Sequence, residues 1–230
     1  MLTGVIVAHK DKNIKQCIDA LDFCDEVLVM RNNGETALDF GTLRNKALKQ
    51  AKNEWVLYID TDEEVSDVLK KEILQVIKNT EFSSFYIKRK DLFWKKPVLY
   101  GEVLHARTHG LVRLVKKGSG QWSGAVHEVF TPNSTSGTLN NEIVHNAHDS
   151  IAGFLLKINF YSTLRANELF KAGKKTNIFE IICMPIGKFV YSFFVLQGYK
   201  DAERGFVYSF MMSFHSFLVR SKLFLLSSKS

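Results

Sequence analysis

Three short apolar runs rich in β-branched residues punctuate the first quarter of the chain: TGVIVA at 3–8, EVLVM at 26–30 and WVLYI at 55–59. Between and after them, apolar residues recur at helical spacing. Ile14, Ile18 and Leu21 share one face, Leu43, Ala47, Leu48 and Ala51 a second, and Val68, Leu69, Ile73, Val76 and Ile77 a third, with Ser66 placed to cap it. Strands this short and continuously apolar are buried on both sides. Their alternation with helices predicts β-α-β units and a parallel sheet. Ligands of such sheets bind beyond the carboxyl ends of the strands, so residues 8–11, 31–34 and 60–64 are where chemistry is expected.

After residue 80 the pattern shifts to short strands at 85–90, 111–115, 125–130 and 138–144, separated by Gly-, Ser- and Asn-rich turns. From about residue 150 the chain turns helical. Ile151, Phe154, Leu155, Ile158 and Tyr161 share a face, and Gly173 is the expected stop. No repeat or flexible linker interrupts this. The expected organisation is an α/β domain over 1–150, binding ligand and acceptor, followed by a helical extension over 151–230.

A chain of 230 residues that is 46% hydrophobic and 24% charged, with 3 prolines, excludes a disordered or low-complexity protein. Its cysteines, Cys17, Cys24 and Cys183, are odd in number and form no C-x-x-C pair, which argues against a disulfide scaffold and for a reducing compartment. The opening MLTGVIVAHKD has no basic leader, so no signal peptide is expected there.

Charge is unevenly distributed. Residues 151–230 carry 11 Lys/Arg against 4 Asp/Glu, which is the whole of the net +7. A neutral body with a basic, Phe-rich tail points to an anionic membrane surface rather than to nucleic acid. Within that tail Phe206, Phe210, Phe214 and Phe217 fall on one helix side, and Ser209, Ser213, Ser216 and Arg220 on another. The uncharged stretch 205–219 is shorter than the roughly 18–20 residues a spanning helix needs. The expectation is a helix lying in the interface and a cytoplasmic protein, peripheral on the inner face of the membrane.

Directly after WVLYI stands Asp60-Thr61-Asp62-Glu63-Glu64. Four carboxylates in five residues repel one another unless a cation or helix N-terminus compensates. One or two of them with phosphate oxygens suit a hard divalent ion, Mg²⁺ or Mn²⁺. His145 and His148 are spaced i, i+3, but no cysteine pair or companion carboxylate supports structural zinc there.

Four blocks in order carry a resemblance. Leu43-Arg44-Asn45-Lys46-Ala47 leads into the strand that ends in Asp60-Thr61-Asp62-Glu63. Arg113-Leu114 precedes Gly120-Gln121-Trp122-Ser123-Gly124-Ala125-Val126-His127-Glu128. Then come Phe154-Leu155-Leu156-Lys157 with Tyr161-Ser162-Thr163, Ala166 and Gly173-Lys174-Lys175, and finally Gly198-Tyr199-Lys200-Asp201 with Arg204-Gly205-Phe206. Together they resemble family-2 glycosyltransferases of the GT-A fold, in the branch that glycosylates the lipopolysaccharide inner core. The resemblance implies a Rossmann-like α/β domain with a mixed sheet and a C-terminal helical extension. It also implies inverting transfer of a sugar from a nucleotide-sugar, usually a UDP-hexose such as UDP-glucose, to a hydroxyl of a glycolipid or saccharide.

Under that reading Asp62 holds the metal against the diphosphate, with Glu64 and the late His145 as further ligands. Asp60 contacts the ribose or a metal-bound water. Arg44 pairs bidentately with the diphosphate, Trp122 offers a flat surface to a sugar ring, and Ala8, His9 and Asn32 contact the nucleotide. Glu128 is the base that takes the acceptor proton, with Asp149 the next carboxylate in reserve. The chain departs from its resemblance at Lys10-Asp11 and at Arg31-Asn32-Asn33-Gly34, which bears on nucleotide identity rather than on the reaction. Two rivals stand beside this reading. A nucleotidyltransferase of similar fold would be expected to carry a glycine-rich phosphate loop after the first strand, where HKDKNIK has no glycine. A catalytically inactive module binding membranes or sugars would leave the D-x-D-E and V-H-E blocks without a purpose.

Overall fold

The structure, a computed structural model, describes residues 1–9, 14–32, 40–124 and 128–228, with the backbone alone at His9, Gln16, Asn32 and Ala147. The chain forms two compact units, Met1–Lys90 with Ala106–Asn146, and Asp91–His105 with Ala147–Ser230. Residues 91–105 thus join the C-terminal helices, a long-range association that no local pattern announces.

The first unit begins with β1 (Leu2–His9), α1 (Lys15–Asp19), β2 (Glu26–Asn32), α2 (Phe40–Gln50), β3 (Trp55–Asp60), the two-residue β4 (Glu63–Glu64) and α3 (Asp67–Val76). β5 (Ser84–Phe93) leads out of it. β6 (Lys96–Val98) lies in the second unit, α4 (Leu104–Thr108) leads back to the first, and β7 (Leu111–Lys116), β8 (Gly120–Ser123), β9 (Val129–Pro132) and β10 (Ser136–His148) follow. The strand order is β2-β1-β3-β7-β5-β10-β4. β1 pairs in parallel with both β2 and β3, whereas β7 runs antiparallel to β3 and β5. The sheet is therefore mixed, and β8 and β9 form a separate antiparallel pair.

Strand alternation sorts the core into two layers. Leu2, Ile6, Leu57 and Ile59 pack with Ile14 and Leu21 around α1 and with Leu69 and Ile73 of α3. Val5, Val7, Val56 and Tyr58 pack with Ala47 and Leu48 of α2, and with Trp122 and Phe130 of the β8–β9 pair. The Ser66 side chain accepts from the Leu69 amide at 3.3 Å, the expected cap of α3. The helix expected over 14–21 is shorter, only Lys15–Asp19. The strand expected over 125–130 begins at Val129, and residues 125–127 lie outside the described ones.

The second unit holds β6 paired with residues 91–93 of β5, then α5 (Ile151–Lys171) and α6 (Ile178–Val190). α6 continues as a π-helical turn over Tyr191–Val195, and a 3₁₀ turn at Gly198–Asp201 precedes α7 (Ala202–Ser227). Its core is Phe93, Val98, Val103, Phe154, Ile158 and Met211. The Asp201 carboxylate accepts from the amides of Leu99 and Tyr100, both at 2.8 Å, which ties the 3₁₀ turn to the 91–105 segment. The phenylalanine stripe expected of α7 is divided. Phe214 packs against the core while Phe206, Phe210 and Phe217 are exposed, because α7 lies between α5 and α6 and is covered on more than one side.

Candidate active site

Arg44 sits at the centre of the candidate site. It projects from α2, whose Ala47 and Leu48 press onto the sheet, and it is only 1% exposed. Its Nη2 donates to Asp60 Oδ1 at 2.7 Å and its Nε to Glu128 Oε1 at 2.9 Å. The guanidinium lies 4.9 Å from the Trp122 ring centroid and 5.4 Å from that of Tyr58, whose hydroxyl donates to the Arg44 carbonyl at 3.0 Å. The neighbouring Asn45 clasps the β8 backbone: its Nδ2 donates to the Trp122 carbonyl at 2.8 Å, and the Trp122 amide donates to its Oδ1 at 2.9 Å. Arg-Asn thus fastens the end of β3, the β8 strand and Glu128 together through one helix turn.

Arg113 closes the network from β7. Its Nη2 donates to Asp60 Oδ2 and to Glu63 Oε1, both at 2.6 Å. Glu63 Oε2 accepts from the Asp60 amide at 3.0 Å, and Arg89 stands 3.8 Å from Glu63 Oε1. Asp60, Glu63 and Glu128 face Arg44, Arg113 and Arg89, so buried charge is matched by opposite charge. Burial works to raise the Asp60 pKa, but Arg113 and Arg44 overcome it and hold the carboxyl well below the usual range. For Glu63 burial wins over Arg113 and the pKa rises. Burial also opposes the charge on Arg113, yet Asp60 and Glu63 hold it firmly protonated. Burial pushes the Tyr58 hydroxyl up to about 12, so it stays a proton donor.

These placements revise two expected roles. Arg44 is buried with Nε and Nη2 committed to carboxylates, so it acts on the site's own acids rather than as a diphosphate clamp. Trp122 is core: it meets Tyr58 edge-on at 5.0 Å and Phe130 at 5.4 Å, and presents no open face to a sugar. Asp60, held by two arginines, still leaves its side chain 33% exposed at the carboxyl end of β3.

The turn after β3 places Asp62 Oδ1 3.6 Å from His145 Nε2, because β4 pairs with β10 in the register His145↔Glu63. The Asn146 amide donates to the Asp62 carbonyl at 2.8 Å, fixing that turn. Glu64 points to the side of β4 opposite buried Glu63 and accepts from Asn146 Nδ2 at 2.6 Å. Among the described residues, no three His, Cys, Asp or Glu side chains converge as a cage. The fit for a metal is a carboxylate–imidazole pair, a donor set that suits Mn²⁺ when ligand oxygens complete the shell, whereas Mg²⁺ would use the carboxylate alone. Ala8 is buried in β1, and the side chains of His9 and Asn32, paired in register at the ends of β1 and β2, lie outside the described residues, as does His127. Sequence reasoning did not assign roles to Asn45, Tyr58 and Glu63. A buried polar residue inside an apolar strand, such as Tyr58 in WVLYI, was the available signal for one of them.

No family model matches the chain. It is similar to an uncharacterized glycosyltransferase of Rickettsia prowazekii (strain Madrid E), 26% identical over 99% of this chain and 88% of the relative. A lipopolysaccharide core biosynthesis glycosyltransferase, LpsC of Rhizobium meliloti (strain 1021), is 23% identical over 90% of this chain and 88% of its own length. The solved structure of S. aureus TarS 1–349 overlaps all of this chain and 92% of its own at 12% identity, with a TM-score of 0.44. Along almost its whole length, the chain is thus a homologue of proteins named glycosyltransferases.

Proposed function

We propose that the chain is an inverting glycosyltransferase of the GT-A type. It would move a sugar from a nucleotide-sugar, a UDP-hexose such as UDP-glucose, to a hydroxyl of a glycolipid or saccharide of the lipopolysaccharide core. The observation that carries this reading is the Arg44 bridge. It joins Asp60, at the carboxyl end of β3 where α/β sheets bind ligands, to Glu128, the carboxylate of the V-H-E block. The similarity to a lipopolysaccharide core glycosyltransferase supports the acceptor class.

In this reading Glu128 is the general base. Arg44 holds its Oε1, which orients the carboxylate, and the acceptor hydroxyl gives its proton to the other oxygen as it attacks the anomeric carbon. The nucleoside diphosphate leaves from the opposite face. A divalent cation at Asp62 and His145 would supply neutralising charge for that diphosphate. Asp60 stays ionised and accepts a hydrogen bond from the ribose, while Arg44, Asn45 and Arg113 act as positioning residues. The nucleotide would lie beyond the carboxyl ends of β1 and β2, where the backbones of His9 and Asn32 are paired and Ala8 precedes them.

The test measures nucleotide release from UDP-, GDP-, ADP- and CMP-sugars, with and without a core saccharide acceptor, for the wild type and Glu128→Gln. Glutamine can still accept from Arg44, so the fold should hold. Donor-induced thermal stabilisation should persist while transfer falls by about 100- to 10,000-fold. The absence of both stabilisation and turnover with all of these donors would overturn the transferase reading, and undiminished transfer by Glu128→Gln would remove the base from Glu128.

A further inference from the structure

α6 is a helix turned inside out. Ile178, Ile182, Ile186, Val190 and Phe194, at successive four-residue steps along α6 and its π-helical continuation, are each 45–67% exposed. The opposite side carries Ile181, Pro185 and Ser192, which are buried. Two hydrogen bonds dock that side on α7: Ser213 Oγ donates to the Pro185 carbonyl at 2.7 Å, and the Ser192 and Ser209 hydroxyls meet at 3.0 Å. Phe206 of α7 packs edge-on against Phe189 and Phe193 and extends the exposed apolar surface. A helix of a water-soluble unit ordinarily shows the reverse distribution, and a contiguous apolar face of this kind marks an interaction surface.

Charge decides between occupants. Lys171, Lys174 and Lys175 stand exposed immediately before α6, within the region that holds the protein's entire positive excess. A second copy packed parallel on this face about a two-fold axis would bring the two lysine clusters together, and one packed antiparallel would set each cluster against the far end of the helix, Tyr191–Val195, which carries no acidic side chain, whereas anionic lipid headgroups would neutralise them. The run Ile178–Val195 has a mean hydropathy of 1.7 and is long enough to cross a bilayer. Its inner side is nevertheless packed on α7, and Lys188 is paired with Glu102 at 2.8 Å, so only its outer side is open to lipid. We propose that the outward face of α6, with Phe206 beside it, lies in the interface of an anionic bilayer. The face is not the α7 stripe expected from the phenylalanine spacing. Apolar insertion and lysine–headgroup attraction together supply the two signals that stable peripheral binding needs.

The experiment is flotation of the full chain with vesicles of phosphatidylcholine alone or mixed with phosphatidylglycerol, beside light scattering of the free protein. The protein should float with the mixed vesicles, several-fold less in high salt. Ile182→Glu/Ile186→Glu should stay at the bottom while unfolding at the wild-type temperature, since both positions are solvent-exposed. Lys174→Glu/Lys175→Glu should float several-fold less than the wild type. Failure of the wild type to float with either lipid would overturn the proposal, as would undiminished flotation of the double isoleucine variant. So would a dimer that the isoleucine substitutions dissolve in the absence of any flotation. No sugar nucleotide enters these measurements, so their outcome is separate from that of the transfer assay.

Discussion

Arg44 and Glu128 are 84 residues apart in the chain and meet through a 2.9 Å hydrogen bond from Nε to Oε1. The same guanidinium gives its Nη2 to Asp60. A planar, delocalised cation can serve two acids at fixed angles at once, which an ammonium on a flexible stem cannot. The helix that carries Arg44 is packed on the sheet, and Trp122 and Tyr58 flank the guanidinium, so its geometry is set before any ligand arrives.

Arg44→Lys should therefore keep the charge and lose the fork. Turnover should fall by at least about tenfold with a smaller effect on donor KM, the signature of mispositioned rather than missing contacts. Arg44→Met leaves Glu128 without its guanidinium and Asp60 with Arg113 alone, and should lower the unfolding free energy by about 3 kcal/mol, the low end for breaking a buried pair. Steady-state kinetics and urea unfolding measure the two effects.

Asp62→Asn and His145→Ala should each weaken Mn²⁺ binding, read by the paramagnetic relaxation of water protons. Asp62→Asn should also lose roughly 100-fold in rate, the scale of removing one electrostatic stabiliser. Excess chelator should abolish wild-type turnover, and added Mn²⁺ or Mg²⁺ should restore it. Full activity in chelator would separate Asp62 and His145 from any metal.

Asp60 has a folded pKa depressed below its unfolded value, since Arg113 and Arg44 overcome the cost of burial. Its contribution to stability is then fully present above the unfolded carboxylate range, near pH 4, and is lost as pH falls through the lower folded pKa. Urea unfolding between about pH 5 and pH 2, where the carboxyl of the unfolded chain takes up a proton and that of the folded chain does not, should show stability falling with acid. Asp60→Asn should flatten that part of the curve.

Gly205 and Gly187 should respond oppositely to alanine. A Cβ on Gly205 would fall 1.8 Å from the Gly198 carbonyl oxygen, backbone that cannot step aside without moving the 3₁₀ turn anchored by Asp201. Gly205→Ala should cost about 1–3 kcal/mol or more, the usual range for overpacking. Gly187 is mid-helix with nothing within 4 Å of its added Cβ, so Gly187→Ala should stabilise by about 0.5–1 kcal/mol. Thermal melts of the two variants check both signs.

By itself the sequence determined the elements whose signal is local. TGVIVA, EVLVM and WVLYI could be read as β1, β2 and β3, and Ser66 as the cap of α3, because apolar periodicity and capping act within one turn or one strand. The ends of those strands named Asp60 and Asp62 for the same reason. Tertiary structure decided what no window contains. β7 entered the sheet antiparallel to β3, residues 91–105 joined the C-terminal helices, and His145 came opposite Glu63 through a two-residue strand too short to have a period. It also decided that Arg44 and Trp122 are buried. An arginine in an amphipathic helix reads as solvated until a carboxylate 84 residues away is folded against it, since only paired charge withstands desolvation. The outward face of α6 belongs to the same class: its residues are equally apolar in sequence whether they meet protein or not, and only the packing of Ile181, Pro185 and Ser192 on α7 settled which side was left over.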